Sequence, residues 1–329
     1  METWRLLPIP ALNDNYVWLL ADDRGNALVV DPGEAGPVAA TLAREHLRLR
    51  AILLTHHHPD HIGGVEALRE NGDIDVHAPR DPRIGVATHR VEDGDEIVIG
   101  EPALRFSVIA VPGHTRSHVA YHGHGLLFSG DTLFSVGCGR LFEGTPAQML
   151  ESLERLAALP ADTQVCCGHE YTVANCAFAM GVDPGNAALR RRARNAQASR
   201  TAGLPTVPSL LGEELACNPF LRIDTPALID SLAAQLPAGA DRIERFAALR
   251  RLKDAFQALS GRAVDAGYHA LPSAWLPCWP DVRRRSRGTG HSLHRRQRTK
   301  LPRRGRRRPC DRRPSCPTPC TRTHRRGSA

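Results

Sequence analysis

Thr55-His56-His57-His58-Pro59-Asp60-His61 follows directly on Ala51-Ile52-Leu53-Leu54. Consecutive apolar residues predict a short buried strand, so the polar run falls on the turn leaving that strand's C-terminal end. Open α/β sheets place their ligand sites there. A turn at this point can fold His56 and His58 toward one centre while Asp60 and His61 face a second centre nearby. Imidazoles and a carboxylate crowded this way resist desolvation and repel one another when bare, whereas neutral imidazole nitrogens and carboxylates suit zinc, iron or manganese. The stretch reads as a metal site, against the blander alternative of a polar loop facing solvent. His57 is expected to point away and support the loop, and Pro59 to stiffen it.

Further ligands should sit at other strand ends, and three segments have the right preamble. Leu104 to Val111 leads into Pro112-Gly113-His114-Thr115, Gly125 to Ser129 into Gly130-Asp131-Thr132, and Thr163 to Cys167 into Gly168-His169-Glu170. A glycine before each ligand lets the backbone come close to an ion. With His56, His58, Asp60 and His61 the set is large enough for two ions if Asp131 is shared.

This ordered set resembles the metallo-β-lactamase superfamily, and flanking segments narrow the resemblance to glyoxalase II, the hydroxyacylglutathione hydrolases. Those segments are Pro10-Ala11-Leu12-Asn13-Asp14-Asn15-Tyr16, Val30-Asp31-Pro32-Gly33, Gly137 to Thr145, Cys167 to Thr172 and Arg250-Arg251-Leu252-Lys253-Asp254. The resemblance covers about residues 1 to 256. It implies an α/β fold, the metallo-β-lactamase αββα sandwich, followed by a small all-helical domain. It implies two divalent metal ions, zinc foremost with iron or manganese as alternatives. His56, His58 and His114 would hold one ion and Asp60, His61 and His169 the other, with Asp131 between them. Asp60 and Asp131 are the implied catalytic carboxylates, with Asp31 and Thr115 as supports around the ligands.

The implied substrate is a small-molecule glutathione thioester, S-D-lactoylglutathione, cleaved to glutathione and D-lactate by a hydroxide held between the ions, the second step of methylglyoxal detoxification. Arg140, Phe142, Tyr171 and Asn175 would line its site from the first domain, and Arg250 and Lys253 from the C-terminal helices. Two carboxylates on glutathione match the basic pair; a solvated helix face is the bland reading of that pair. Many relatives carry a tyrosine where this chain has Phe142, which puts one hydroxyl contact in doubt. Two other readings stand beside this one: a different hydrolase of the superfamily, such as a lactonase, a β-lactamase or a nuclease, and a nucleic-acid-binding protein with a structural metal core.

The N-terminus Met1-Glu2-Thr3-Trp4-Arg5 lacks a signal-peptide pattern, and no segment approaches the roughly 18 uninterrupted apolar residues of a membrane span. Cys138, Cys166, Cys167, Cys176 and Cys217 show no disulfide framework and are expected as reduced, mostly buried thiols. A cytoplasmic, monomeric enzyme without a membrane partner is the expectation.

Apolar runs of strand length alternate with helical stretches near Val38 to His46, Val65 to Glu70 and Ala147 to Ala158, predicting a metal-binding catalytic domain over residues 1–172. After about Val173 the strands stop. Ala187 to Ala202, Ala227 to Leu236 and Asp241 to Phe256 predict a helical substrate-binding domain over 173–258. Residues 281–329 hold eighteen Lys and Arg against Asp281 and Asp311, a charge of +16 that leaves −8 on the rest of a chain whose total is +8. Residues 281–329 have almost no apolar residues, and the tail from 259 to 329 is expected to be disordered. It reads as translation of GC-rich DNA out of frame, as a weak nonspecific nucleic-acid arm without a specific nucleic-acid partner, or as a zinc patch of Cys310, Cys316, Cys320 and His324.

Overall fold

The computed structural model describes residues 4–70 and 72–265, with side chains as far as residue 257. Two six-stranded sheets lie face to face. The first contains β1 (Trp4–Ala11), β2 (Asn15–Asp22), β3 (Asn26–Val30), β4 (Arg48–Leu53), β5 (Asp75–Pro79) and β6 (His89–Val91) in sequential order. Its first two pairings are antiparallel and the last three parallel. The parallel crossovers carry α1 (Ala35–Arg44), and the short α2 (Pro59–Ile62) and α3 (Val65–Arg69).

The second sheet begins with the meander β7 (Glu96–Ile99), β8 (Leu104–Ala110), β9 (Val119–Gly123) and β10 (Leu126–Gly130). The chain then forms a small hairpin, β11 (Leu133–Phe134) and β12 (Gly137–Cys138), and the helix α4 (Pro146–Ala157). It returns as β13 (Gln164–Cys167), parallel to β10, and the sheet closes with β14 (Ser209–Leu210). Between and after these last strands lie α5 (Thr172–Val182), α6 (Ala187–Thr201), α7 (Leu211–Cys217), α8 (Pro226–Leu232) and α9 (Arg242–Asp265).

Why β2 and β3 are apolar on both faces follows from the layering. Trp18, Leu20, Leu28 and Val30 face Phe106, Tyr121 and Phe128 of the second sheet. Their neighbours Val17, Leu19, Ala27 and Val29 turn outward under Val38 of α1 and Val65 and Leu68 of α3. On the far side Leu127 and Val165 meet Met149 and Leu153 of α4, and the same cluster takes in Phe178 of α5 and Phe246 and Leu249 of α9. The helices beyond residue 172 therefore share a core with the outer layer of the sandwich, in one compact unit. Thr145 opens α4 with a capping box to Gln148, followed by Pro146 at the first helical position.

Three features depart from the sequence reading. Strands do not stop at Val173, because β14 pairs with the edge of β13. Three helices, α2, α5 and α7, occupy stretches where none was anticipated. The helix expected to end at Phe256 runs on in backbone to Asp265. The remaining stretch to 329, including the Arg-rich residues and the Cys310, Cys316, Cys320, His324 patch, lies outside the described residues.

Candidate metal centre and substrate pocket

All seven sequence-named ligands converge at the open end of the two sheets. His56 and His58 leave β4, and Pro59 takes the first position of α2, which presents Asp60 and His61. His114 follows β8, Asp131 follows β10 and His169 follows β13. Close approach demands glycine at both Gly168 and Gly130. A Cβ at Gly168 would lie 2.7 Å from Asp131 Oδ1, and one at Gly130, where φ is +48°, would lie 2.4 Å from Thr55 Oγ1. His57 turns away, toward Asp81 Oδ2 at 3.6 Å and Glu143 Oε1 at 3.9 Å.

Two ligand groups emerge. His56 Nε2 and His114 Nε2 each stand 3.0 Å from His58 Nδ1. His61 Nε2 and His169 Nε2 lie 3.5 and 3.4 Å from Asp60 Oδ2. Asp131 touches both groups: Oδ1 is 3.4 Å from His61 Nε2, while Oδ2 is 3.4 Å from His114 Nε2 and 3.3 Å from His169 Nε2. A tetrahedron around an ion with ligand distances of roughly 2.0–2.1 Å has edges of about 3.3 Å, so these separations fit coordination.

The donor chemistry fits as well. His61 Nε2 and Asp131 Oδ1 are buried without a hydrogen-bond partner among the described residues. Four imidazoles spend their outer nitrogen on an acceptor, which fixes the proton there and leaves the inner lone pair free. His114 Nδ1 meets Arg140 O at 2.8 Å, His169 Nδ1 meets Asp14 Oδ1 at 2.8 Å, and His61 Nδ1 meets Asp31 Oδ2 at 3.1 Å. His56 Nδ1 meets Thr55 Oγ1 at 3.0 Å, and that hydroxyl donates to Asp31 Oδ2 at 2.7 Å. Asp31 therefore steadies two ligands, and it does so from φ +53°. A cluster of Asp31 with His56 and His61 is also close enough to be counted as a ligand group, but the carboxylate is consumed by Thr55 and the outer face of His61. Thr115, the other expected support, does not serve: its Oγ1 is buried and unbonded among the described residues.

Electrostatics separates the two groups. Burial pushes His56 well below its ordinary range and His58 down to about 4, so both are neutral, as ligands must be. Burial alone would lower His61 too, but Asp131 and Asp31 outweigh it and raise the group to about 10. His169 is raised in the same way by Asp131, against its burial. A metal cation held by His61, His169, Asp60 and Asp131 would take the place of the two protons. Asp31→Ala is accordingly expected to weaken metal binding about 10- to 100-fold, by freeing His61 and His56 to rotate; a chelator-competition titration checks it.

The metal centre forms one wall of a cavity of about 430 Å³ whose lining includes Arg140, Phe142, Tyr171, Asn175, Arg250 and Lys253. Tyr171 stacks on the ring of His169 at 4.7 Å. Phe142 is 60% exposed and sets its ring edge-on to His58 and His114 at 5.6 and 5.2 Å, under the Arg140 guanidinium. It supplies an aromatic wall beside two of the candidate ligands. Arg250 and Lys253 are 3% and 2% exposed, which rules out the solvated helix face. Arg250 Nη1 donates to Cys138 O at 2.8 Å and Nη2 to Asp254 Oδ1 at 3.0 Å. Lys253 Nζ lies between the rings of Phe178 and Phe256, and burial, then Arg250, pushes its ammonium down to about 7.

Sequence reading assigned no role to several residues that act here. Asp14 and Asn15 reach in from the β1–β2 turn, Asn15 Nδ2 donating to Asp60 Oδ2 at 3.0 Å. His118 Nε2 accepts the Asp131 backbone N–H at 3.1 Å and stacks on His56. Phe134, Cys138 and Gln257 complete the cavity wall. Only Asp14, Asn15 and Cys138 carried a signal, their place inside signature segments.

The metallo-beta-lactamase superfamily model matches residues 12–169, and the model described as hydroxyacylglutathione hydrolase C-terminus matches residues 170–256. The hydroxyacylglutathione hydrolase of Xanthomonas campestris pv. campestris (strain B100) is 54% identical over 256 residues, 77% of this chain and 100% of that protein. The chain belongs to the hydroxyacylglutathione hydrolase family, within the metallo-β-lactamase superfamily. A relative of the same name from Xylella fastidiosa (strain M12) is 52% identical across 77% of this chain and 97% of its own length. Among solved structures, ETHE1 from Myxococcus xanthus is similar with a TM-score of 0.52 and 26% identity, covering 77% of this chain and 99% of that one. The B3 metallo-beta-lactamase BLEG-1 has a TM-score of 0.50 and 28% identity, over 67% of this chain and 99% of its own.

Proposed function

We propose that this member of the family hydrolyses S-(2-hydroxyacyl)glutathione thioesters, S-D-lactoylglutathione foremost, to glutathione and the 2-hydroxy acid. One juxtaposition carries the reading: ligand groups joined through Asp131 open into a cavity that is also lined by the buried cations Arg250 and Lys253. A thioester with a peptide-like, dianionic tail spans such a cavity, reacting carbonyl at one end and carboxylates at the other.

In this reading His56, His58 and His114 hold one ion, Asp60, His61 and His169 the second, and Asp131 is shared. Zinc is the proposed metal, since five imidazoles against two carboxylates favour it over manganese. Two such ions, when bound, lower the pKa of a coordinated water to roughly 7 and polarise the thioester carbonyl. The chain's own part is positional. Asp131 and Asp60 fix the spacing of the two ligand groups, Tyr171 and Phe142 wall the carbonyl end, and Arg140, Asn175, Arg250 and Lys253 orient the glutathione portion. No general acid is required for the leaving group, because a thiol of pKa roughly 8.5 departs as its anion.

The proposed setting is the cytoplasm, where the five free, buried cysteines of the described residues stay reduced. The proposed working unit is a monomer. Among the described residues no helix is long and apolar enough to cross a membrane. The family match ends at residue 256, and no specific nucleic-acid partner is proposed. Deleting residues 266–329 is expected to leave kcat/KM for the thioester unchanged. Any nucleic-acid binding by the full chain, with +16 on residues 281–329, should be weak and vanish at moderate salt. Loss of hydrolysis on deletion would make the Arg-rich stretch part of the working enzyme.

A panel of substrates tests the function itself. Purified, metal-loaded protein should turn over S-D-lactoylglutathione and leave a lactone and a β-lactam essentially untouched; preference for either of the latter would replace this reading with another hydrolase of the superfamily.

A further inference from the structure

Glu214 on α7 is a completely buried carboxylate that the proposed reaction does not use. Both of its oxygens face the turn between β11 and β12. Ser135 Oγ donates to Oε1 at 2.7 Å and the Val136 N–H donates to Oε2 at 2.7 Å. Val136 is β-branched and sits at φ +58°, a conformation such residues rarely enter unless their surroundings hold them there. Asn218, at the end of the same helix, adds two bonds from Nδ2 to the carbonyls of Phe134 and Gly137, at 3.1 and 3.0 Å. The Ser135 hydroxyl is satisfied in both senses, since it accepts from Arg192 Nη2 at 2.8 Å while donating to Glu214.

The strand leaving this turn ends at Cys138, whose carbonyl accepts Arg250 Nη1, and Arg140 follows two residues later. We propose that Glu214 is a positioning residue for substrate binding: by locking the Ser135–Val136 turn it sets, through Cys138, where Arg250 and Arg140 meet the carboxylates of the glutathione portion. The inference rests on the glutathione-thioester reading. It separates α7 from a merely structural helix, because the effect of Glu214 should appear in KM rather than in turnover.

Glu214→Gln keeps the volume but replaces one acceptor oxygen with an amide N–H₂, so either the Val136 N–H faces another donor or the Ser135 hydroxyl proton loses its acceptor. In full-length, zinc-loaded protein we expect KM for S-D-lactoylglutathione to rise about tenfold with kcat within about threefold, and metal content at the wild-type level. A folded variant with a lowered Tm but unchanged KM would overturn the proposal. Should Glu214→Gln fail to fold, Ser135→Ala removes one contact and leaves the Val136 bond; a KM raised about threefold supports the clamp, and an unchanged KM overturns it. Wild-type protein inactive on the thioester would instead sink the functional reading, whereas an active wild type with an unaltered variant KM sinks the clamp alone.

Discussion

Asp131→Ala is expected to abolish most thioester hydrolysis and to lower bound metal from about two ions per chain towards one. The reason is its position. Oδ1 stands 3.4 Å from His61 Nε2 and Oδ2 within 3.4 Å of both His114 and His169 Nε2, so this one carboxylate faces both ligand groups. It is also the charge that keeps His61 and His169 raised against their burial. Without it, five imidazoles and Asp60 must retain the ions with less negative charge nearby. Losing an outer support costs metal affinity about 10- to 100-fold, and a shared ligand should cost more, with turnover falling by over about 100-fold. Elemental analysis beside steady-state kinetics decides the matter. A variant that kept both ions and near-normal turnover would show that Asp131 is not shared.

Alanine at Arg250 or Lys253 should raise KM for S-D-lactoylglutathione about 10- to 150-fold at constant metal content, because each removes one charge-assisted contact of roughly 1.5–3 kcal/mol. Their burial sharpens the expectation: neither cation can be replaced by solvent reaching in from outside. The two should differ in pH dependence. In the free enzyme the Lys253 ammonium, lowered to about 7 chiefly by burial, is present below that pH and lost as pH rises through it. KM should therefore climb above neutrality in the wild type and stay flat in Lys253→Ala, while Arg250→Ala keeps the rise but moves it to higher pH, because Arg250 is the second cause of the lowered ammonium. Unchanged KM values in both variants would remove the pair from substrate binding.

The local units were legible because their chemistry is consecutive in sequence. His56 to His61 share one loop, and His114, Asp131 and His169 each follow an apolar run and a glycine, so strand, turn and ligand announce one another. The αββα layering follows from strands such as β2 and β3 whose two faces are both apolar. What escaped was set by distant chain. Asp14 meets His169 from the far end of the sequence, and Glu214 and Asn218 serve a turn about eighty residues earlier. Helix α5, with buried residues on several sides, carries no amphipathic stripe to announce it. A two-residue strand such as β14 exists only because β13 offers an edge. Thr115 was named for its place after His114, yet side-chain direction is not fixed by sequence position.

Titrating metal-free protein with Zn²⁺, while following S-D-lactoylglutathione hydrolysis and bound metal in the same samples, bears most directly on a binuclear thioester hydrolase. Turnover should rise to a plateau at about two ions per chain. Full activity at one ion or none, or no thioester hydrolysis at any loading, would contradict it.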